Sequence, residues 1–238
     1  MTHLLKITNF QRKIWSFTII NAHRNVYLKD TMNKEFYKKY NIGFTSGALL
    51  FKEAQSAIPL IQNEIDFMSG HEDLDQTLLP INSENSKKRI KFELEKRLRA
   101  IQNPVFLELY KSSDDQNKKL ILFYAANKLY GMITEFMLET VLIKWLNLDD
   151  QLTTDDFQNF IYKKMDSHPE LLEITENTRY KLAQVTLKML KELGILHNHH
   201  LSKIHFNENI LKAIVDNCDQ WFLNVLLLND QEKNEILS

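Results

Sequence analysis

From Lys118 to Leu148 the chain runs without a proline and with one glycine, Gly131. Read at helical pitch, Leu120, Phe123, Tyr124, Ile133, Met137, Val141 and Trp145 cover almost the whole circumference. Only Lys128, Gly131, Glu135 and Glu139 form a narrow polar stripe. A helix that is apolar nearly all round is a buried one. This segment is therefore expected to be the post around which the rest of the protein is arranged. The remaining sequence favours helices too: 5 glycines and 4 prolines in 238 residues leave few breaks. The expected fold class is all-α: a compact helical protein with two helix-turn-helix-like elements around a long buried central helix.

Two segments share a second pattern. Ser83 to Ile101 and Thr175 to Leu196 each open on small polar residues. Each continues with a basic first turn and then carries apolar residues at helical spacing. In the first, Ile90, Leu94, Leu98 and Ile101 share one face, and Asn85, Lys88, Lys96 and Arg99 lie roughly opposite, with Arg89 and Phe92 nearby. In the second, Leu182, Val185, Met189 and Leu193 face inward, while Asn177, Tyr180, Gln184 and Lys188 point out, flanked by Lys181. Asn and Gln can pair with adenine edges, and Lys with guanine or phosphate. Each segment follows a shorter helix after a brief connection, as a helix-turn-helix requires. Basic residues on the outside of an amphipathic helix are more often a solvated face, so the repetition carries the functional weight.

Turn signals divide the rest. Gly43 and Gly47 mark a turn, after which a helix is expected from about Ser46 to Ser56, capped by Ser46. Pro59 suits the start of another helix ending near Gly70. Residues 104–110 are short and apolar. Thr153 or Thr154 caps a helix through Met165, with Asp155 and Asp156 in its first turn. Gly194 suits a left-handed C-cap. The stretch 195–206 reads as a small β-hairpin, the wing of a winged helix, or an irregular loop. Two helices, Glu208 to Asn217 and Asp219 to Leu228, precede a tail expected to fray. The order gives an N-terminal extension over 1–39, a helical subdomain over 40–116 and the central helix with a second element over 117–206. C-terminal helices follow over 207–238. Residues 1–31 lack a clean period: they read either as an extension preceding a start at Met32 or as an extra helix packed on the core.

Several function classes lose support. The formal charge is −1, so any nucleic-acid contact must come from a local patch rather than from bulk charge. The single Cys218 excludes an internal disulfide and fits a reducing cytoplasm. No stretch has the length and apolarity of a membrane span. There is no Walker-type loop, dinucleotide fingerprint, nucleophile elbow or HExxH helix. His197, His199, His200 and His205 have no cysteine nearby and read as polar loop residues rather than a metal site. The expectation is a cytoplasmic protein with no cofactor and no metal, monomeric or weakly oligomeric.

The run YNIGFTSGALLFKEA at Tyr40 to Ala54, the block RIKFELEKRLRAI at Arg89 to Ile101, and the stretch from Leu152 through HPELLEITENTRYKLAQVTLKMLKELGIL resemble the BrxA family, a core component of bacteriophage-exclusion (BREX) defence systems. Their order and spacing are also similar to that family, and the resemblance covers about residues 40–206. It implies an all-helical, soluble, non-enzymatic protein with helix-turn-helix-like elements that binds duplex DNA. It also implies work alongside an adenine methyltransferase, an ATPase and other subunits. The candidate contacts follow from the outward helix faces rather than from the resemblance: Asn85, Lys88, Arg89, Lys96, Arg99, Asn177, Tyr180, Lys181, Gln184 and Lys188. An RNA-binding regulator and a pure protein-interaction scaffold are the competing expectations.

Overall fold

The computed structural model describes residues 39–238, which pack as one unit. The N-terminal extension expected over 1–39, with its question of a start at Met32, lies outside the described residues apart from Lys39.

The central segment is buried as expected from Leu120 to Val141, but Trp145 is half-buried, Leu146 and Leu148 are exposed, and the segment is not one helix. Helix α5 (Asp115–Leu129) is capped by Asp114, whose carboxylate accepts from the Asn117 N–H. At Tyr130 the backbone leaves the helical region (φ −118°, ψ 86°), and α6 (Gly131–Phe136) starts afresh. A π-turn over Met137–Val141 leads into α7 (Leu142–Leu146). The break leaves carbonyls without helical partners, and Thr134 supplies one: its hydroxyl donates to Asn127 O at 3.0 Å. Tyr130 instead reaches across to Glu93, donating to its carboxylate at 2.5 Å. The expected polar stripe does not face water. Glu135 is buried, and Lys128 is paired with Asp219 at 2.7 Å.

Elements before the post are shorter than expected. Residues Gly43–Ser46 form a single 3₁₀ turn, and α1 spans Phe51–Ala57. Ser46 caps nothing. Residues 47–50 are held out of the helix by distant partners: Gly47 and Ala48 carbonyls accept from Arg97, and the Leu49 N–H donates to Glu192 at 2.9 Å. The helix expected from Pro59 is a 3₁₀ turn at Ile58–Leu60, then α2 (Glu64–Ser69). Asn63 caps α2, and Gly70 ends it. Helix α3 (Glu84–Arg99) buries Ile90, Leu94 and Leu98 against the post, and α4 (Val105–Ser112) occupies the apolar run after Pro104.

After the post come α8 (Thr154–Lys164), whose Thr153 and Asp156 form the capping box, and α9 (Glu176–Leu193). A two-stranded antiparallel hairpin follows: β1 (Leu196–His197) with β2 (His200–Leu201). The hairpin is thus the outcome among the readings of 195–206. Helices α10 (Glu208–Asp216), α11 (Phe222–Val225) and α12 (Asp230–Leu237) close the chain. The tail is ordered rather than frayed, because Asn229 and Glu232 form a capping box and Ile236 is buried.

Arg97 is fully buried. Its Nε donates to Glu93 at 2.6 Å, its terminal nitrogens serve the Gly47 and Ala48 carbonyls, and it stacks on Tyr130. Arg97→Met should strand the Glu93 carboxylate in the core and cost about 3–5 kcal/mol. Urea unfolding checks this, and a loss below about 1 kcal/mol would mean the network carries little of the stability.

Candidate nucleic-acid interface

The second basic helix is built as its sequence implies. The Thr175 hydroxyl accepts from the Thr178 N–H at 3.2 Å. Gly194 takes φ 91°, and its N–H closes on Leu190 O. That left-handed cap suits glycine, which lacks a Cβ. The buried side is wider than expected, adding Ala183, Thr186, Leu187 and Leu190 to Leu182, Met189 and Leu193, while Val185 is only half-buried. The reason is packing: α9 lies against both α8 and the central α5, so two neighbours share its apolar surface.

The opposite edge is open. Asn177, Tyr180, Lys181, Gln184 and Lys188 are all exposed. Among the described residues Lys181 has no carboxylate partner, and Lys188 stands 3.7 Å from Glu192 in an exposed pair. Such a pair is worth little and is readily exchanged for another anion.

The surroundings of α9 form a recurring arrangement. Residues 150–152 run antiparallel to 199–201: the Leu152 N–H donates to His199 O at 2.7 Å and the Leu201 N–H to Asp150 O at 2.6 Å. The chain order is therefore a segment bridged at Gln151, α8, α9, hairpin. Asn198 and His199 at the tip have positive φ (47° and 69°), the backbone of a tight hairpin turn. The Ser202 hydroxyl ties the hairpin back to Gly194 O at 3.1 Å. The connection between α8 and α9 is longer than the brief one expected. It occupies residues 165–175 and includes a 3₁₀ turn at Pro169–Leu172.

Helix α3 is less available. Asn85, Lys88, Arg89 and Phe92 are exposed, and Lys96 is half-buried. Arg99, expected on the outer edge, turns inward. Its guanidinium donates to Phe67 O and Glu72 O at 2.9 Å, pairs with Asp73 at 2.8 Å, and lies over the Phe67 ring. The irregular backbone after α2 has no ladder of its own, so an arginine satisfies its carbonyls. Lys91 pairs with Asp73 and Glu95, and Lys87 with Glu84. The cationic surface of α3 thus reduces to Lys88, Arg89 and Lys96. Its connection to the preceding α2 is also long, over residues 70–83.

Arg179 is the residue that the face argument left out. Its guanidinium carbon lies 5.5 Å from the ring centroid of Tyr162 on α8, and one terminal nitrogen donates to Ile174 O at 3.2 Å. Spacing within one helix carries no signal of a ring on another. Two of the histidines expected in a loop lie on the hairpin strands, His197 on β1 and His200 on β2; His200 faces Asp150 at 3.1 Å, and His199 at the tip approaches Leu152 O. Among the described residues no three His, Cys, Asp or Glu side chains converge on a metal position, and no helix is long and apolar enough to cross a membrane.

Comparison with known proteins bears on these observations. A model of the BrxA family matches residues 38–217. The "BREX protein BrxA" of Bacillus cereus (strain H3081.97) is 27% identical over 160 residues, 67% of this chain and 80% of that protein. A crystal structure of an uncharacterized protein from Magnetospirillum magneticum superposes with a TM-score of 0.63 at 14% identity, covering 80% of this chain and 100% of that one. At that identity the last shares the fold.

Arg99 and Lys91 hold the Asp73 carboxyl below the usual carboxylate range. A depressed folded-state pKa means stability that is present above the ordinary carboxylate value and lost as pH falls through the depressed one. Acid unfolding of Asp73→Asn, followed by helicity, should therefore show a smaller loss of stability below about pH 4 than the parent chain. Superimposable acid transitions would show that the clamp contributes nothing.

Proposed function

The chain belongs to the BrxA family, and from that premise we propose that it is a non-catalytic, DNA-binding component of a BREX phage-defence system. The observation that carries the DNA-binding part is the outer edge of α9. Amide, hydroxyl and ammonium groups there stand exposed on a helix held rigidly from behind. In a duplex the edge enters the major groove, as the second helix of a helix-turn-helix does. Asn177 and Gln184 present both donors and acceptors to base edges, and Tyr180 a hydroxyl. Lys181 and Lys188 neutralise phosphates. Lys88, Arg89 and Lys96 on α3 supply further backbone contacts. The order of bridged segment, two helices and hairpin supports a winged form of that motif, with residues 198–199 as the wing tip.

Affinity in this reading is mostly electrostatic and sequence preference weak, because phosphate contacts outnumber base contacts. The non-catalytic reading is supported by the buried carboxylates: Glu93, Glu135 and Asp219 are each engaged by a cation and a tyrosine, and Glu95 by Lys91 and the Leu74 N–H, arrangements that stabilise structure. The protein then acts beside the methyltransferase and ATPase of the system.

One observation favours a second reading. Phe92 is 65% and Tyr180 45% exposed beside free cations, and exposed aromatics with cations stack the bases of single strands, including RNA. Competition between matched duplex DNA, single-stranded DNA and RNA separates the two: duplex should win.

Reversing charge together at Lys88, Arg89, Lys181 and Lys188 should lower duplex affinity by on the order of 100-fold or more at fixed salt. The slope of log affinity against log salt should become shallower by about one per phosphate contact removed. Helicity and melting temperature should stay near those of the parent. Unchanged affinity and slope would rule out these edges as the interface.

A further inference from the structure

The arginines that hold this fold together each make three hydrogen bonds and a carboxylate pair. Arg97 gives its Nε and both terminal nitrogens to Glu93, Ala48 and Gly47, and Arg99 distributes its donors over Phe67, Glu72 and Asp73. Arg179 is built differently. Of five N–H donors on a guanidinium, the described contacts use one, toward Ile174 O. Its Nε is shielded from solvent and has no partner. No carboxylate among the described residues pairs with it. What holds it is an aromatic ring: Tyr162, itself 50% exposed, lies under the guanidinium. Burial of Tyr162 alone does not explain that stack, since half the ring remains in water. The stack does something else. It removes rotameric freedom from a long cationic side chain in the first turn of α9, beside the exposed Tyr180 and Lys181. A flat cation fixed in advance loses little entropy when it meets a planar, bidentate acceptor.

We propose that Arg179, braced on Tyr162, is a backbone-phosphate contact of bound duplex DNA, and that α8 helps set the register of α9 in the groove through this pair. The inference rests on the DNA-binding reading above and adds a residue outside the face assigned there. It also gives α8 a part: in a helix-turn-helix the first helix crosses the phosphate backbone, and Tyr162 sits near the end of that helix. Arg179 touches the polyanion; Tyr162 is a positioning residue. The oxygens of a phosphate would accept the terminal guanidinium donors that no described group takes, and the cation, unpaired among the described residues, would gain its counter-charge.

The test uses the full chain and a labelled duplex of mixed sequence, titrated across salt. Arg179→Gln should weaken binding by on the order of tenfold and make the salt slope shallower by about one. Tyr162→Phe, which keeps the ring, should behave as the parent. Tyr162→Ala should weaken binding in the parent and have no further effect in Arg179→Gln, because the two act as one unit. Should Arg179→Gln fail to fold, Arg179→Lys carries the test, keeping the slope while losing affinity several-fold. Parental affinity and slope in the Gln variant, or parental affinity in the Lys variant, overturns the assignment of Arg179 while leaving DNA binding intact. Additive effects of Tyr162→Ala and Arg179→Gln overturn the brace. A parent chain that shows no salt-dependent duplex binding overturns the reading beneath both.

Discussion

Four carboxylates are buried among the described residues, Glu93, Glu95, Glu135 and Asp219; Glu95 is held by Lys91 and the Leu74 N–H, and the other three are neutralised by one shared arrangement. Glu93 faces Arg97 and the Tyr130 hydroxyl, Glu135 faces Lys164 and the Tyr40 hydroxyl, and Asp219 faces Lys128 and the Tyr124 hydroxyl. A carboxylate taken out of water is costly unless both a counter-charge and hydrogen bonds await it. Burial and the neighbouring carboxylates push all three tyrosines up from their ordinary range, so the hydroxyls remain donors. Every set includes a group from the central segment: Tyr130, Glu135, or Tyr124 with Lys128. The post is thus more than an apolar surface. Any packing that shifts a helix by one residue would separate at least one buried charge from its partner.

This constraint explains the interruption of the post. A continuous helix would keep Tyr130 in line with its neighbours. The break at Tyr130, with Gly131 following, frees that side chain to meet Glu93 on α3. It also places Glu135 opposite Lys164 on α8 and Tyr40 from the start of the described chain. Tyr40 in turn stacks on His168 at 3.8 Å, fastening the connection between α8 and α9. The supports of both basic helices therefore trace back to the same post. What remains on their outer sides is what the interior has not consumed.

That distinction sorts the cations. On α3 the last turn is absorbed by structure, since Arg97 and Arg99 close the irregular stretches at 47–48 and 67–72. On α9 the last turn serves the interior through Glu192, which accepts from the Leu49 N–H, and Leu193 O, which accepts from Gln116, while Lys181 and Lys188 stand on the outer edge and stay at the surface. Two helices with similar openings and similar charge thus present unequal surfaces. The second presents the fuller exposed edge, and the first a smaller cluster of Lys88, Arg89 and Lys96.

The chain alone determined what depends on neighbours within a few residues. The caps at Thr153, Thr175 and Gly194, the buried stripe of Ile90, Leu94, Leu98 and Ile101, and the exposed row from Asn177 to Lys188 all follow from a local period and local hydrogen bonds. The all-helical class and the buried post follow from the same period. Only the tertiary structure decided the break at Tyr130, the inward turn of Arg99, the released segment at 47–50 and the brace beneath Arg179. Each depends on a partner far away in sequence, and helical periodicity says which way a side chain starts but not what it will meet.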